Sequence, residues 1–386
     1  MPLDQRELMR QIEAKAPALR VNLSTLQSNL TTTTEVYRRA DNLRLAAQIK
    51  QSKTHRSIGQ PVDGNIQEMV PIDAPPEDYT IVATDSSPIA PDRHGGMAAY
   101  YVINVGQVML RYGANSTATI TTKLEFGGGL SDEEENIALS GDLLSAKSAV
   151  AELEQGLTFG LHHRSDLVLH DGPLTLWNAA NTGGESERLN KRYYELLNEY
   201  QKANLPVVGY VSNPHSESVI NGLRTLKCDK EFPHCGRNAK KGGEICHPNN
   251  ATACQDLRGL MDAQLFGGVL PMGHRSPIFK AILREPRQLA AHIDEIYFVY
   301  LKTGYEVIRL EFPAWLKQQP RLLEQALALV LDQSVRGDGY PPVLMEAHES
   351  AVLRGDDRTL LRILLEDHQL LQPESEKGRS KRIRGL

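Results

Sequence analysis

Two short segments of this 386-residue chain set an aspartate at the end of an apolar run. Asp85 follows Ile81, Val82 and Ala83 and precedes Ser86-Ser87-Pro88, and Asp171 closes DLVLHD ahead of Gly172-Pro173. Such runs predict strands that end at the carboxylate. A carboxylate there is held by the sheet yet reaches solvent, which is where open α/β sheets place their ligands. Two of them on neighbouring strands can share a hard divalent cation, because Mg²⁺ and Mn²⁺ prefer oxygen donors. An isolated Asp-Ser or Asp-Gly more often only caps a turn. Period-two alternation turns His170 to the face opposite Asp171, a structural position. Upstream, AVAELEQGL offers Glu152 and Glu154. These stand about 200° apart on a helix, so only one can face a sheet, and periodicity does not choose between them. In the C-terminal third, GYPPVLMEAHESAV carries Tyr340 and, further on, His348. An imidazole can ligate a metal or shuttle a proton, although a lone histidine is commonly a packing residue.

The elements that must position these residues are legible from periodicity. Residues 3–17 and 22–50 have helical spacing (Leu8, Ile12, Leu19; Leu26, Leu30, Val36, Leu43) and predict an N-terminal helical arm. A Pro-punctuated linker follows over 51–78. IVATDSS (81–87), MAAYYVINVG (97–106) and QVMLRYG (107–113) predict three strands, the last two joined across Gly106 as a hairpin. Residues 131–161 predict a long helix with an acidic start. The strand DLVLHDG, a helix over 185–204 and the strand LPVVGYV come next. A meander followed by α/β crossovers is the order of a ribonuclease H-like mixed sheet flanked by helices. EIYFVYLKT and YEVIRLEFP predict another strand pair, followed by a helix over 319–335. The end of the chain, EKGRSKRIRGL, is a basic tail.

Composition narrows the function classes. With 40% hydrophobic and 24% charged residues, the chain is ordinary globular protein, which excludes a collagen, a coiled coil or wholesale disorder. No apolar run is long enough to span a bilayer, and the start MPLDQRELMRQIEAKAP lacks an apolar secretory core, so a cytoplasmic protein with no membrane partner is expected. A net charge of −5 argues against a coat that binds DNA through bulk positive charge. It does not argue against an acidic site that attracts phosphate only once divalent ions load.

All four cysteines, Cys228, Cys235, Cys246 and Cys254, fall in one polar, Gly- and Asn-rich segment. Such a segment gains from a metal staple, and structural Zn²⁺ is the leading expectation. The spacing matches no ordinary zinc knuckle, His234 and His247 offer alternative ligands, and an iron–sulfur cluster, disulfides or plain thiols stay open.

Taken together, ATDSSPIAP (83–91), DLVLHDGPL (166–174), VVGYVSNP (207–214), RSPIF (275–279), YFVYLKTGYEVIRLEFPAW (297–315) and GYPPVLMEAHESAV (339–352) resemble the NurA nuclease family. The resemblance implies a ribonuclease H-like fold and Mn²⁺-dependent 5′-to-3′ exonuclease and single-strand endonuclease activity in double-strand-break end resection, with Mg²⁺ as the alternative ion. It also implies a homodimer acting on DNA ends beside a HerA-type hexameric translocase. By position it assigns the metal site to Asp85, Glu154, Asp171 and His348, with Tyr340 as a further catalytic residue. The first motif of the family commonly reads Asp-Gly-Ser, and Ser86 stands here in place of the glycine, so the turn expected after Asp85 must avoid positive φ or tolerate it at some cost. The domains so implied are an arm and linker (1–75), a nuclease domain (76–368) bearing a cysteine insertion (224–258), and a tail (369–386). No glycine-rich phosphate loop is present, so the chain is not itself the motor. Two other classes compete: a non-catalytic adaptor that binds DNA or a partner on the same fold, and a metal-dependent phosphoesterase acting on a small substrate.

Overall fold

The computed structural model describes residues 4–52, 56–90, 100–128, 141–175, 184–228, 253–282 and 295–368. Cys235, Cys246, the acidic segment 131–140 and the basic tail lie outside the described residues. In chain order the first elements are helices α1 (Gln5–Arg38) and α2 (Asn42–Gln51) and strands β1 (Ile58–Pro61) and β2 (Val70–Pro71). Strands β3 (Tyr79–Ile89), β4 (Tyr100–Tyr112) and β5 (Thr117–Gly128) follow, then α3 (Gly141–His163), β6 (Leu167–Asp171), α4 (Gly184–Lys202) and β7 (Val207–Val211). After these come α5 (Ser218–Leu226), α6 (Asp262–Val269), β8 (His274–Arg275), β9 (Phe279–Ile282), β10 (Ile296–Lys302) and β11 (Val307–Pro313). The last are α7 (Pro320–Arg336), α8 (Pro342–Ala351) and α9 (Gly355–Asp367). The architecture is mixed α/β, with mixed sheet flanked by helices.

The chain divides into two compact units. The first comprises Met1–Pro71, Ser212–Pro286 and Ile296–Leu310, and the second Ile72–Val211, Arg287–Glu295 and Glu311–Leu386. The N-terminal helices therefore group with residues 212–286, far along the chain.

In the first unit, Asp4 caps α1 through Glu7 N and Asp41 caps α2 through Arg44 N. The helix break expected between residues 17 and 22 is absent. Pro17 lies within α1, where exposed backbone can be solvated, and the chain breaks instead between the two helices at the Asp41 cap. The expected linker holds two strands: β1 pairs antiparallel with β9, and β2 with β8. Buried Tyr37 anchors α1 by donating its hydroxyl to the Ile66 carbonyl at 2.7 Å. Behind it, Phe266 stacks on Tyr300 with centroids 4.7 Å apart. Asp262, fully buried, accepts from Val219 N, Ile220 N and the Tyr300 hydroxyl, which ties the start of α5 to β10.

The second unit is built on β3. On one side β3 pairs antiparallel with β4, and β4 with β5; on the other it runs parallel to β6, and β6 to β7. The meander has three strands as expected, but not the expected three. Residues 100–112 form one continuous strand through Gly106, which pairs with Asp85, and the turn comes at Gly113, where φ is +108°. The third strand, β5, is the Thr-rich segment that hydrophobicity does not mark. A Cβ at Gly106 would lie 2.2 Å from Ser350 Oγ, 2.5 Å from Ala347 O and 2.7 Å from Ala351 N. Glycine is there so that α8 can lie directly on the sheet.

Successive residues of β3 address opposite faces. Thr84 donates its hydroxyl to the Glu152 carbonyl of α3 at 2.9 Å, and Asp85 turns to α8. Helix α3 approaches closely because Ser148, Gly156 and Gly160, all buried, repeat at four-residue spacing along one stripe. Glu152 occupies the fourth position of that stripe.

Candidate active site

Asp85 sits inside β3, not at its end, because the strand continues four residues to Ile89. Ser86 remains extended, paired with Val105, and is absent from the described residues with positive φ. The turn expected after Asp85 does not exist, so replacing glycine there costs no backbone strain. Asp85 Oδ1 accepts from Ser86 N at 2.8 Å, and its Oδ2 lies 2.7 Å from His348 Nδ1. Asp85 is largely shielded, while His348 is 62% exposed on its side chain and open to a substrate.

Asp171 is the last residue of β6, and Gly172 turns the chain away at φ +98°. The Tyr340 hydroxyl donates to its carboxylate. The Tyr340 ring stands edge-on to that of Tyr210, centroids 5.6 Å apart, and Tyr210 donates its own hydroxyl to the Gly339 carbonyl. Both tyrosines thus brace the loop before α8. Burial pushes the Asp171 carboxyl above its ordinary value, the Tyr340 bond opposes this, and the Asp85 charge adds to it. Burial, with Asp171 beside it, pushes the Tyr340 hydroxyl up as well, so it stays a donor.

The glutamate of α3 that turns to the sheet is Glu152, and the expected Glu154 does not. Glu154 Oε1 pairs with Arg192 Nη2 of α4 at 2.5 Å, on a side chain 46% exposed. The turn of the helix decides this, since two residues rotate the side chain to the other face. Glu152 accepts from Ser86 Oγ at 2.5 Å through Oε1. Its Oε2 is 3.5 Å from His170 Nδ1. Desolvation first, then the charges of Asp85 and Asp171, push its carboxyl up to about 8, against the Ser86 hydrogen bond. Burial holds His170 down to about 4. Near neutral pH the pair is therefore uncharged, and the short separation is not an ion pair. His170 is buried, as expected of a structural residue, yet it also faces the acidic group.

No set of three or more His, Cys, Asp or Glu side chains among the described residues is arranged as a ready cage for a metal ion. His348, Tyr340 and Ser86 each engage one carboxylate, and Glu152 lies on the face of the sheet opposite Asp85. The donor set nonetheless suits a hard divalent cation. The charges acting on buried Glu152 are those of two further carboxylates, and a cation among them relieves both the repulsion and the burial of charge. Of the four cysteines, half-buried Cys228 and buried Cys254 are described.

A family model for the NurA domain matches residues 79–353. The chain belongs to the NurA family. The NurA match opens at the first residue of β3 and closes two residues beyond α8, so it encloses the whole acidic group. The fold is similar to that of the NurA nuclease from Sulfolobus solfataricus, at 13% identity and a TM-score of 0.50 over 95% of this chain and 97% of that one. A further NurA crystal structure aligns at 14% identity (TM-score 0.39, 94% and 98% covered), and NurA bound to dAMP and manganese at 12% (0.37, 94% and 97%). No curated protein matches the chain in sequence.

Of the residues that sequence reasoning selected, the structure brings together Asp85, Asp171, Tyr340 and His348 and leaves Glu154 apart. It adds Glu152, Ser86 and His170. The signal that marks Glu152 is the stripe of small residues at four-residue spacing, which identifies the face of α3 that meets the sheet.

Proposed function

We propose that this NurA-family chain is a divalent-metal-dependent DNA nuclease. The observation that carries the reading is the polar group at β3 and β6: Asp85 2.7 Å from His348, Asp171 bonded by Tyr340, and buried Glu152 bonded by Ser86. Asp85, Glu152, Asp171 and His348 would hold Mn²⁺ or Mg²⁺. A bound divalent ion supplies Lewis-acid stabilisation of the negative charge that develops on a phosphodiester. The chain's own groups do the rest. His348, with Nδ1 engaged by Asp85, has one ring nitrogen left, which either ligates the ion or carries a proton. The Tyr340 hydroxyl, a donor to Asp171, can turn its proton to a phosphate oxygen.

The finer assignments belong to the same reading: 5′-to-3′ exonuclease and single-strand endonuclease action in double-strand-break end resection, a homodimer, a HerA-type hexameric translocase as partner, and a cytoplasmic location. The strand order β5–β4–β3–β6–β7, a meander joined to parallel crossovers, supports the ribonuclease H-like assignment. No helix among the described residues is long and apolar enough to cross a membrane. Structural Zn²⁺ on Cys228, Cys235, Cys246 and Cys254 is part of the proposal, and metal analysis of the purified chain tests it.

The deciding experiment is cleavage of end-labelled single- and double-stranded DNA with Mn²⁺, Mg²⁺ or EDTA. Cleavage that requires the metal supports the reading. Binding of DNA without cleavage under any condition replaces it with a non-catalytic adaptor. Hydrolysis of small phosphoesters alone replaces it with a phosphoesterase.

A further inference from the structure

We propose that Ser86 and His170 are positioning residues that hold the Glu152 carboxylate against the sheet, Ser86 at one oxygen and His170 at the other. The inference rests on the reading of the acidic group as a divalent-cation site. Glu152 reaches into the sheet from a helix, and a glutamate carries enough side-chain freedom that its carboxylate needs fixing if it is to serve as a ligand. The strand pair beneath it provides this. Thr84 pairs in register with His170, and Ser86 lies two residues beyond Thr84, on the same face. Thr84 Oγ1 holds the Glu152 carbonyl at 2.9 Å, which fixes the main chain, and Ser86 Oγ donates to Oε1 at 2.5 Å.

His170 faces the other oxygen. Its Nδ1 is 3.5 Å from Oε2, the ring is 6% exposed, and Nδ1 is among the buried atoms with no hydrogen-bond partner. A buried nitrogen is costly to leave unpaired, and the atom nearest to pair it here is the Glu152 carboxyl oxygen. Each ring nitrogen of an imidazole can donate or accept according to its tautomer, so Nδ1 can serve the carboxyl oxygen it faces.

The test uses the full chain and its Ser86→Ala, Ser86→Thr, His170→Leu and His170→Asn variants. Mn²⁺ binding is measured without DNA by electron paramagnetic resonance, and DNA cleavage is followed against Mn²⁺ concentration. Ser86→Ala and His170→Leu should weaken Mn²⁺ binding about 10-fold or more, with half-saturation of cleavage moving further than kcat. Ser86→Thr keeps the hydroxyl and His170→Asn keeps a polar nitrogen near the Nδ1 position, so both should stay within about 3-fold of the parent. Should His170→Leu fail to fold by circular dichroism, the Ser86 pair decides. Folded Ser86→Ala that binds Mn²⁺ as tightly as the parent overturns the inference. A parent chain that neither binds Mn²⁺ nor cleaves DNA overturns the cation-site reading itself, and the inference with it.

Discussion

Nδ1 of His348 lies 2.7 Å from Oδ2 of Asp85, joining a helix near the end of the chain to the central strand of its sheet. With Nδ1 engaged by Asp85, Nε2 is the ring nitrogen left for a substrate or an ion. Replacing His348 with alanine should lower kcat on DNA by about 100-fold or more. The melting temperature should barely move, because the side chain is mostly exposed. Asp85→Ala and Asp171→Ala should abolish cleavage with the fold intact. Full activity of either folded variant in Mn²⁺ contradicts the proposed site.

The two glutamates of α3 should behave differently. Glu152→Gln removes the carboxylate that turns to the sheet and should eliminate metal-dependent cleavage. Glu154→Gln loses an exposed pair with Arg192, worth at most about 1 kcal/mol, and should cleave like the parent. Parallel activity and chemical-denaturation curves separate the two outcomes, and equal loss of activity in both variants would refute the assignment.

Gly106→Ala tests how α8 is seated. Its Cβ would meet the backbone of Ala347 and Ala351 as well as the Ser350 hydroxyl, and backbone cannot rotate away. We expect a destabilisation of about 1–3 kcal/mol, together with lost cleavage as His348 is lifted from Asp85. Normal stability in urea unfolding would show that α8 yields more easily than its contacts suggest.

Stability should depend on pH through Glu152 and His170. Glu152 is pushed up to about 8 from an ordinary 4.5, so between these values the folded chain holds a proton that the unfolded chain has lost, and stability falls as pH rises. His170, held at about 4 against 6.5, works in the opposite sense: the unfolded chain binds the extra proton, and stability rises with pH over that range. The two offset up to about 6.5, above which Glu152 acts alone. In EDTA the parent should lose about 2 kcal/mol between pH 6.5 and 8, and Glu152→Gln should lose much less. Urea midpoints across that range check the sign.

Several elements were legible before any coordinates. The apolar runs of β6, β7, β10 and β11 and the amphipathic pattern of α4 and α7 are strong local signals, and each forms near its expected position. Local pattern misleads where packing overrides it. Gly106 reads as a turn, yet it stands mid-strand because a helix needs the space. Residues 117–128 lack an apolar signature because β5 exposes Ile120, Leu124 and Phe126 instead of burying them.

The sequence by itself determined which residue types were available: the aspartates of two strands, a tyrosine and histidine on one later segment, and two glutamates on one helix. It also carried the ordered motifs that identify the family. Only the tertiary structure decided that Glu152 and not Glu154 turns to the sheet, that Ser86 and His170 face it, and that the N-terminal helices group with residues 212–286. The reason is physical. Periodicity along one element fixes relative faces, but the face turned to the sheet depends on which partner is close enough to exclude water. For α3 that is settled by Ser148, Gly156 and Gly160 lying against strands from other parts of the chain.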